Sequence, residues 1–355
     1  MSELRINNIT DTAGSSGPII AGVSTVTSTS HMVMPSGPTE MRGGRGRGVF
    51  GTGYNNAPNS SLNSMQFVTI ATRGNTEDFG DLADSSIGKA SFGSATRGFF
   101  AGGDSVPGQA DNKAIEFTII SSSGGGNDFG DMSSTKAYLN GMSNDVRGFM
   151  VGGATTPEYV NQNTIEFVTM ASTGDASDFG DLSTTTRNGS SAASNTRGIL
   201  QLGQTNPLPG NNLIEFITLS TLGNSQNFGE VSTLSKTGAA AVASSTRACF
   251  LAGTGTTGNG SHVSNVIDFV TISTLGNAQD FGDTTVAVSA LAGSSNSTRG
   301  LHAGGRTGTP ASEALQDVIG FITIASTGNS QDFGDLVTPT RYLAGCSDSH
   351  GGLGD

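Results

Sequence analysis

The 355-residue chain has no tryptophan, two cysteines and only four histidines. Cys249 and Cys346 cannot build a disulfide framework, so they say nothing about the redox compartment. No two histidines stand at metal-ligand spacing, and the sequence therefore predicts no metal site and no cofactor. No apolar run approaches the roughly 20 residues that a membrane-spanning helix needs. These scarcities argue against a disulfide scaffold, a metalloenzyme and a helical membrane protein.

Positive charge is also scarce, because 17 Lys and Arg face 29 Asp and Glu, a formal net charge of −12. A general nucleic-acid binder needs a basic face for the phosphates, which this balance disfavours. Residues 41–48 place three arginines among glycines. We interpret this segment as a linker, with docking on an acidic protein or on nucleic acid as alternatives. The N-terminus lacks a signal-peptide pattern, which predicts synthesis in the cytoplasm.

What the chain does contain is an internal repeat of about fifty residues. An apolar strand followed by Asp-Phe-Gly-Asp or a close variant occurs six times, and its phenylalanines are Phe79, Phe129, Phe179, Phe228, Phe281 and Phe333. They are spaced by 50, 50, 49, 53 and 52 residues. A second signature, usually Arg-Gly before an apolar pair, precedes each copy at Arg47, Arg97, Arg147, Arg197, Arg247 and Arg299. This period of about fifty residues indicates an architecture of six similar units.

Each repeat is interpreted as four short strands, called a to d. Strand a is rich in small residues, strand b follows the repeat arginine, and strand c alternates, with Ile115, Phe117 and Ile119 opposite Glu116 and Thr118. Strand d is expected to follow a turn at Asp-Phe-Gly-Asp. Four strands in some fifty residues predict an all-β, six-bladed propeller of antiparallel sheets, with small residues crowded at the axis. A stacked β-helix is the rival, but its coils are shorter.

The Arg-Gly strand, the apolar strand after it and the closing aromatic resemble the kelch propeller layout, although kelch repeats carry Trp where this chain has the Phe of Asp-Phe-Gly. The repeat consensus IEFVTIASTGN, followed by DFGDL and TRG, and the segment SGPTEMRGGRGRGVF at residues 36–50 resemble repeat proteins of marine bacteriophages, cyanophages in particular. Those proteins are usually labelled tail-fibre-like or structural. The resemblance spans almost the whole chain and implies a component of the virion.

The repeated Asp-Phe-Gly is a structural element and not a kinase motif, since no companion lysine or catalytic loop occurs and a catalytic motif does not recur in every blade. The second acidic position of that motif is Asp81, Asp131, Asp181, Glu230, Asp283 and Asp335. We expect these carboxylates to pair with the repeat arginines, with a Ca²⁺ site as the less favoured alternative. The GxGxxG match at residues 253–258 precedes no predicted helix, so it is interpreted as a flexible loop.

The b–c connections differ completely between repeats, whereas the a–b and c–d turns hardly change. In a meander these two sets lie on opposite faces of the disc, and binding residues concentrate on variable loops. The candidate binding residues are therefore Tyr54, Asn55, Asn56, Asp104, Gln109, Glu158, Tyr159, Asn206, Asn211, Asn259, His262 and Arg306. The alternative is that these loops vary because nothing constrains them. The four tyrosines show no shared sequence context, so no tyrosine-based catalytic site is expected.

The sequence predicts a non-enzymatic phage virion protein associated with a tail, neck or fibre and present in multiple copies. Head decoration is the first alternative; a cellular kelch-type scaffold and a propeller glycosidase follow. Residues 1–46 are expected to be an arm that attaches to other virion proteins, and residues 47–355 the propeller, which could also bind host surface polysaccharide. No nucleic-acid or membrane partner is expected.

The ends of the repeat region predict how the ring closes. A spare small-residue strand, residues 341–347, follows blade six without a strand b of its own. The Pro- and Gly-rich stretch before Arg47 is a poor inner strand. We therefore expect residues 341–347 to form the innermost strand of blade one. Blade six then separates Cys249 from Cys346, so both should be free thiols.

Overall fold

The computed structural model describes residues 46–56, 59–108, 110–205, 211–232, 236–257, 260–308 and 312–353. Within these residues the chain is all β, without helices, and its antiparallel sheets form a six-bladed propeller. The predicted fold and blade number are confirmed. The N-terminal arm expected at residues 1–46 lies outside the described residues except for Gly46.

The blades are sheets whose strands follow the order a-b-c-d from the axis outward. The inner strands a of blades one to six are β31 (Ala344–Ser347), β4 (Ala90–Gly93), β10 (Asn140–Ser143), β15 (Ser190–Ala193), β19 (Ala240–Ala243) and β25 (Ala292–Ser295). The strands b are β1 (Arg47–Asn55), β5 (Arg97–Ala101), β11 (Arg147–Val151), β16 (Arg197–Gln201), β20 (Arg247–Leu251) and β26 (Arg299–Ala303).

The outer half of each blade holds strands c and d. Strands c are β2 (Ser60–Thr69), β8 (Ala114–Ile119), β13 (Val160–Thr169), β17 (Leu213–Thr218), β23 (Val266–Thr271) and β29 (Val318–Thr323). Strands d are β3 (Glu77–Asp81), β9 (Asn127–Asp131), β14 (Ser177–Thr186), β18 (Gln226–Glu230), β24 (Gln279–Asp283) and β30 (Gln331–Asp335). The Asp-Phe-Gly-Asp motif therefore forms strand d itself, and our expectation of a turn there was wrong.

Short strands extend the b–c connections of several blades. They are β6 (Asp104–Ser105), β7 (Ala110–Asp111), β12 (Ala154–Thr155), β21 (Thr254–Thr257), β22 (Gly260–Val263), β27 (Arg306–Thr307) and β28 (Ala314–Leu315). β21 pairs with β22, so the GxGxxG segment, expected to be a loop, is largely one strand of a hairpin. Backbone pairing competes with loop flexibility wherever two such segments run antiparallel.

The ring closes as the sequence predicted. β31 is the inner neighbour of β1, and the register runs from Gly48 opposite Ser347 to Gly51 opposite Ala344. Beyond this pairing, the carboxylate of Asp348 accepts a hydrogen bond from the backbone N–H of Arg47 at 2.9 Å. Ser94 gives the same support to Arg97 at 3.0 Å inside a continuous a–b turn. Strands a and b of blade one come from distant parts of the chain, so no a–b turn joins them. The bond between Asp348 and Arg47 takes the place of the contact that this turn makes in the other blades.

The repeat arginines do not pair with the repeat carboxylates among the described residues, which corrects our expectation. Each guanidinium stacks on a ring of strand c in its own blade, as Arg47 does on Phe67 with its carbon 4.5 Å from the ring centroid. Each Nη1 also donates to a carbonyl at the end of strand c in the next blade; for Arg47 this is Ile120 at 3.0 Å. The reason is positional: the arginine begins strand b, whereas the carboxylate, such as Asp81, lies at the other end of the blade.

The remaining arginines repeat this contact around the ring. Arg97 donates to Met170, Arg147 to Leu219, Arg197 to Ile272, Arg247 to Ile324 and Arg299 to Ile70. The last of these contacts joins blade six to blade one. A backbone carbonyl at the edge of a sheet is an acceptor that must be satisfied, so each arginine stabilises a blade junction.

The glycine of each Asp-Phe-Gly lies where neighbouring blades touch. Gly80, Gly130, Gly180, Gly229, Gly282 and Gly334 all have φ between 134° and 159°. The c–d turn of the next blade covers this edge, and the N–H of Gly124 donates to the Phe79 carbonyl at 2.8 Å. A β-carbon at Gly80 would lie 2.5 Å from the carbonyl oxygen of Gly124. The motif therefore caps the outer edge of each blade.

Residues on both sides of strand c are buried because each blade packs between two others. Ile115 and Glu116, on opposite sides of the strand, are 0% and 4% exposed, whereas Ile119 at its end is 37% exposed. The Glu116 carboxylate accepts a hydrogen bond from the N–H of Ala83 in the preceding blade at 2.8 Å. Glu166, Glu215 and Asp268 occupy the same repeat position and are also buried.

Blade six replaces this carboxylate with Gly320 and fills the space with His302 from strand b. His302 is fully enclosed, and its Nε2 lies 2.8 Å from the Ser330 hydroxyl. Burial lowers the pKa of His302 to about 4.

Cys249 and Cys346 are free, as predicted, and the structure shows that both are buried. Burial raises the pKa of both thiols to about 12.

Deleting residues 341–355 should abolish cooperative folding or lower the melting temperature by at least ~10 °C, because β1 would lose its inner neighbour and buried Phe50 its cover. Circular dichroism during heating measures this. Removal of residues 354–355 alone is the control and should leave the melting temperature unchanged. If the chain without residues 341–355 melted at the same temperature as the full-length chain, the closure of the ring by β31 would be refuted.

Three Gly→Ala substitutions separate backbone strain from contact between blades. Gly74 has no positive φ and no neighbour near its β-carbon position, Gly174 has φ 153° and no neighbour, and Gly180 has φ 149° and the Gly223 carbonyl oxygen at 2.5 Å. We expect the unfolding free energy to change by no more than about 0.5 kcal/mol for Gly74→Ala. It should fall by about 1–3 kcal/mol for Gly174→Ala and by about 2–5 kcal/mol for Gly180→Ala. Urea denaturation checks the order, and equal losses at Gly174 and Gly180 would contradict edge capping.

Buried His302 should make stability depend on pH. Because its pKa is lowered to about 4 in the folded chain, only the unfolded chain takes up this proton between roughly pH 6.5 and pH 4. The unfolding free energy should therefore fall as pH decreases through this window, by on the order of 3 kcal/mol. Urea denaturation of the natural chain and of His302→Gln at several pH values isolates the effect. Parallel curves for the two proteins would contradict it.

Candidate functional site

The propeller has two unlike faces. The turn face carries the a–b turns at residues 94–96, 144–146, 194–196, 244–246 and 296–298. The loop face is defined by bridges that join each d–a connection to a b–c connection: Tyr54–Arg341, Ile87–Asp104, Ala137–Ala154, Arg187–Gln204, Thr237–Thr254 and Ser289–Arg306. The variable b–c loops thus share one face, as the meander topology predicted.

A ring of backbone hydrogen bonds surrounds the axis on the loop face. Its six members each stand two residues before the first residue of a strand a, and all have φ between 52° and 64°: Gly88, Tyr138, Asn188, Gly238, Ala290 and Tyr342. In five blades the N–H of the member donates to the preceding blade, as Tyr342 does to Ala290 at 2.8 Å; in blade three the N–H of Leu139 donates instead, at 3.3 Å to Gly88. Left-handed backbone costs about 1–2 kcal/mol at a non-glycine residue, so tertiary contacts must impose it. This ring fixes the bases of the loops.

The four tyrosines of the chain gather beside this ring. The ring centroids of Tyr138 and Tyr342 are 5.5 Å apart, and those of Tyr138 and Tyr159 are 5.9 Å apart. Tyr54 packs on the same cluster. The four tyrosines, which show no shared sequence context, therefore lie together in the fold. Burial is the main reason that the pKa of the Tyr138 hydroxyl is raised.

Gly88 makes this cluster possible, because a β-carbon there would lie 2.9 Å from Cδ1 of Tyr138. Blades one and three supply tyrosine to the ring, whereas blades four to six supply Asn188, Gly238 and Ala290. The centre of the loop face therefore carries aromatic side chains at blades one and three and smaller residues at blades four to six.

Arginines cover the tyrosines. The guanidinium carbon of Arg187 lies 4.9 Å from the centroid of Tyr159, and that of Arg341 lies 4.6 Å from Tyr54. Glu313 accepts hydrogen bonds from Nη1 of both Arg306 and Arg341 at 2.7 Å. Two cations thus share one carboxylate, and among the described residues neither arginine has a hydrogen-bond partner for its Nε.

Asp104 was expected to be a binding residue on a loop, but it is 1% exposed. Its backbone pairs with Ile87 on one side and Asp111 on the other, which turns its side chain inward. Desolvation, and then repulsion by Asp111, raises the pKa of Asp104 to about 6. The sequence cannot reveal this burial, because Asp is ordinary in an exposed loop.

The other candidates do not form one site. Asn56, Glu158 and His262 are exposed on three different blades. Asn211 supports the chain locally, since its side-chain oxygen accepts the N–H of Leu213 at 2.8 Å. Asn55 ends β1 on the loop face. Gln109, Asn206 and Asn259 lie outside the described residues.

The sequence analysis missed Tyr138, Tyr342, Arg187, Arg341 and Glu313. The first four belong to d–a connections, which we had not compared between repeats. A signal was present: Tyr138 and Tyr342 stand at the same repeat position, each directly before a leucine that precedes strand a. Aligning the d–a connections would have revealed two tyrosines around the axis.

The resulting surface offers aromatic rings, guanidinium groups and buried carboxylates on a fixed backbone, which suits non-covalent recognition. Among the described residues, no three acidic, histidine or cysteine side chains converge as a metal site would require. In the same part of the chain, no helix has the length and apolar character needed to cross a membrane. No protein-family model matches the chain, and no curated protein matches it either.

Proposed function

We propose that the chain is a non-enzymatic virion protein of a bacteriophage, associated with its tail, neck or fibre, which binds a host surface glycan or a neighbouring virion protein through the loop face. The observation that carries the binding role is the gathering of all four tyrosines with Arg187, Arg306 and Arg341 on the face whose loops differ. The virion assignment is supported by the resemblance of the repeats to phage structural proteins.

The physical case for binding is preorganisation. Tyrosine and arginine dominate recognition surfaces because they bring large contact area with few rotatable bonds, or planar donors. Here the arginines already stack on the tyrosine side chains. The backbone hydrogen bonds around the axis hold Tyr138 and Tyr342 in place. A surface that is ordered before binding loses less conformational entropy when the ligand arrives.

The chain ends suggest how the propeller is oriented. The described chain begins at Gly46, which accepts a hydrogen bond from Ile70 at 2.8 Å near the turn face. Asp348, near the other end of the chain, lies beside it at Arg47. Gly46 therefore lies on the side of the propeller opposite the loop face. Attachment on the side of Gly46 would leave the loop face directed outward.

Two measurements test this function. Mass spectrometry of purified phage particles should detect the chain, and purified propeller should compete with those particles for adsorption to the host. Tyr159→Asn should weaken competition at least about tenfold, because it removes an aromatic contact while asparagine tolerates the positive φ of 54° at this position.

Leu222→Ser is the matched control, since Leu222 is 59% exposed in a c–d turn on the turn face. It should compete like the natural chain. Absence of the chain from purified particles would overturn the virion role. Equal effects of Tyr159→Asn and Leu222→Ser would overturn the role of the loop face in host binding.

A further inference from the structure

A short segment after β31 crosses the axis of the propeller on the turn face. Asp348 is held at Arg47 of blade one. From there residues 349–353 run to blade five, where the N–H of Gly351 donates to the Ala243 carbonyl at 3.1 Å. We call residues 349–353 the axial plug.

The axial plug fits closely against the ends of the inner strands. A β-carbon at Gly352 would clash with the carbonyl oxygen of Ser143 in blade three, and one at Gly351 would clash with the backbone of Ser244 in blade five. A cavity of about 60 Å³ lies on the axis, lined by all six strands a and by His350 and Gly351. The plug therefore closes this axial cavity at the turn face.

His350 joins the plug to blades two and three. Its Nδ1 accepts the N–H of Gly352 at 3.1 Å, and because a backbone N–H can only donate, the ring proton must lie on Nε2. Nε2 therefore donates to the Gly93 carbonyl at 2.9 Å, beside the hydroxyl oxygen of Ser143 at 3.1 Å. The neutral imidazole thus uses both of its nitrogens to hold the plug.

A protonated His350 does not fit this arrangement. An imidazolium carries a hydrogen on Nδ1 as well, which would point at the N–H of Gly352 and replace the hydrogen bond by repulsion. Burial lowers the pKa of His350 and outweighs the opposite effects of the Gly93 carbonyl and of Asp145. A released plug would return the imidazole to water, where its pKa is about 6.5. Proton uptake therefore favours the released plug.

The elements packed around His350 carry few charged groups. Asp145, in the a–b turn of blade three, is exposed. The carboxylate of Asp348 accepts the N–H of Arg47, and Cys346 stays protonated because burial raises its pKa to about 12. The other a–b turns carry no titratable side chain: residues 94–96, 194–196, 244–246 and 296–298. Since an ordinary histidine titrates closest to neutral pH, His350 is the group here whose charge would change between pH 7.5 and pH 5.

We propose that the axial plug is a pH-sensitive closure, which seals the turn-face end of the axis at neutral pH and is released when His350 takes up a proton. Release frees the carbonyls of Gly93 and Ala243 and opens the axial cavity. The pairing of β31 with β1 does not involve residues 349–353, so the ring stays closed. The axis can thus open without unfolding of the propeller, whatever the loop face binds.

Hydrogen–deuterium exchange of the full chain, measured by mass spectrometry on peptides that contain residues 349–353, tests this release. Between pH 7.5 and pH 5.0 the exchange of this segment should rise at least about fivefold, because proton uptake shifts the equilibrium by up to about tenfold per pH unit below 6.5. Labelling times are scaled to the slower intrinsic exchange at lower pH. His350→Gln keeps a donor and an acceptor but takes up no proton, so its exchange should be the same at both pH values.

Gly352→Ala should release the plug already at pH 7.5, because its β-carbon would clash with Ser143. Gly74→Ala is the matched control, since no atom lies within 4 Å of its β-carbon position, and it should exchange like the natural chain. The proposal is overturned if exchange of residues 349–353 does not rise at pH 5.0, if it rises equally in His350→Gln, or if Gly352→Ala exchanges like the natural chain at pH 7.5. An equal rise in the strands b of all blades would also overturn it, because the whole ring would then be unfolding. None of these outcomes bears on the proposed function of the loop face.

Discussion

The capping of each outer strand by the next blade is the constraint on which the structure depends. A four-stranded blade ends in an unpaired edge, and here the c–d turn of the following blade donates to its carbonyls, as Gly124 does to Phe79. The approach is so close that only glycine fits at Gly80. No blade is therefore complete without its neighbour, and the ring must close to satisfy the last edge. Closure is supplied by β31 and by the carboxylate of Asp348 at Arg47.

Closure also explains the polar groups between blades. The repeat arginines satisfy carbonyls of the next blade, and the buried carboxylates of strands c satisfy N–H groups of the preceding blade. Both contacts cross the junctions that lead into blades two, three and four. Blade six shows that the position can be rebuilt, because His302 occupies the space that Gly320 leaves open. What the junction requires is a filled volume and a partner for nearby polar atoms, which histidine and serine also provide.

The rigid ring gives the loop face its character. Six left-handed residues hold the bases of the connections, while the sequences above them are free to differ. A tyrosine cluster with stacked arginines lies on this one face. Gly46 and Asp348 lie on the opposite side of the propeller.

The sequence by itself determined the blade number, the order of the strands, the closing strand at residues 341–347 and the separation of Cys249 from Cys346. These follow from a period and from side-chain size, both of which are written in the chain. The partners of the repeat arginines were not predictable, because a backbone carbonyl such as that of Ile120 leaves no mark in the sequence. The burial of Asp104 and the meeting of Tyr54 with Tyr342 were decided only by the tertiary structure, since ring closure brings together residues almost three hundred positions apart.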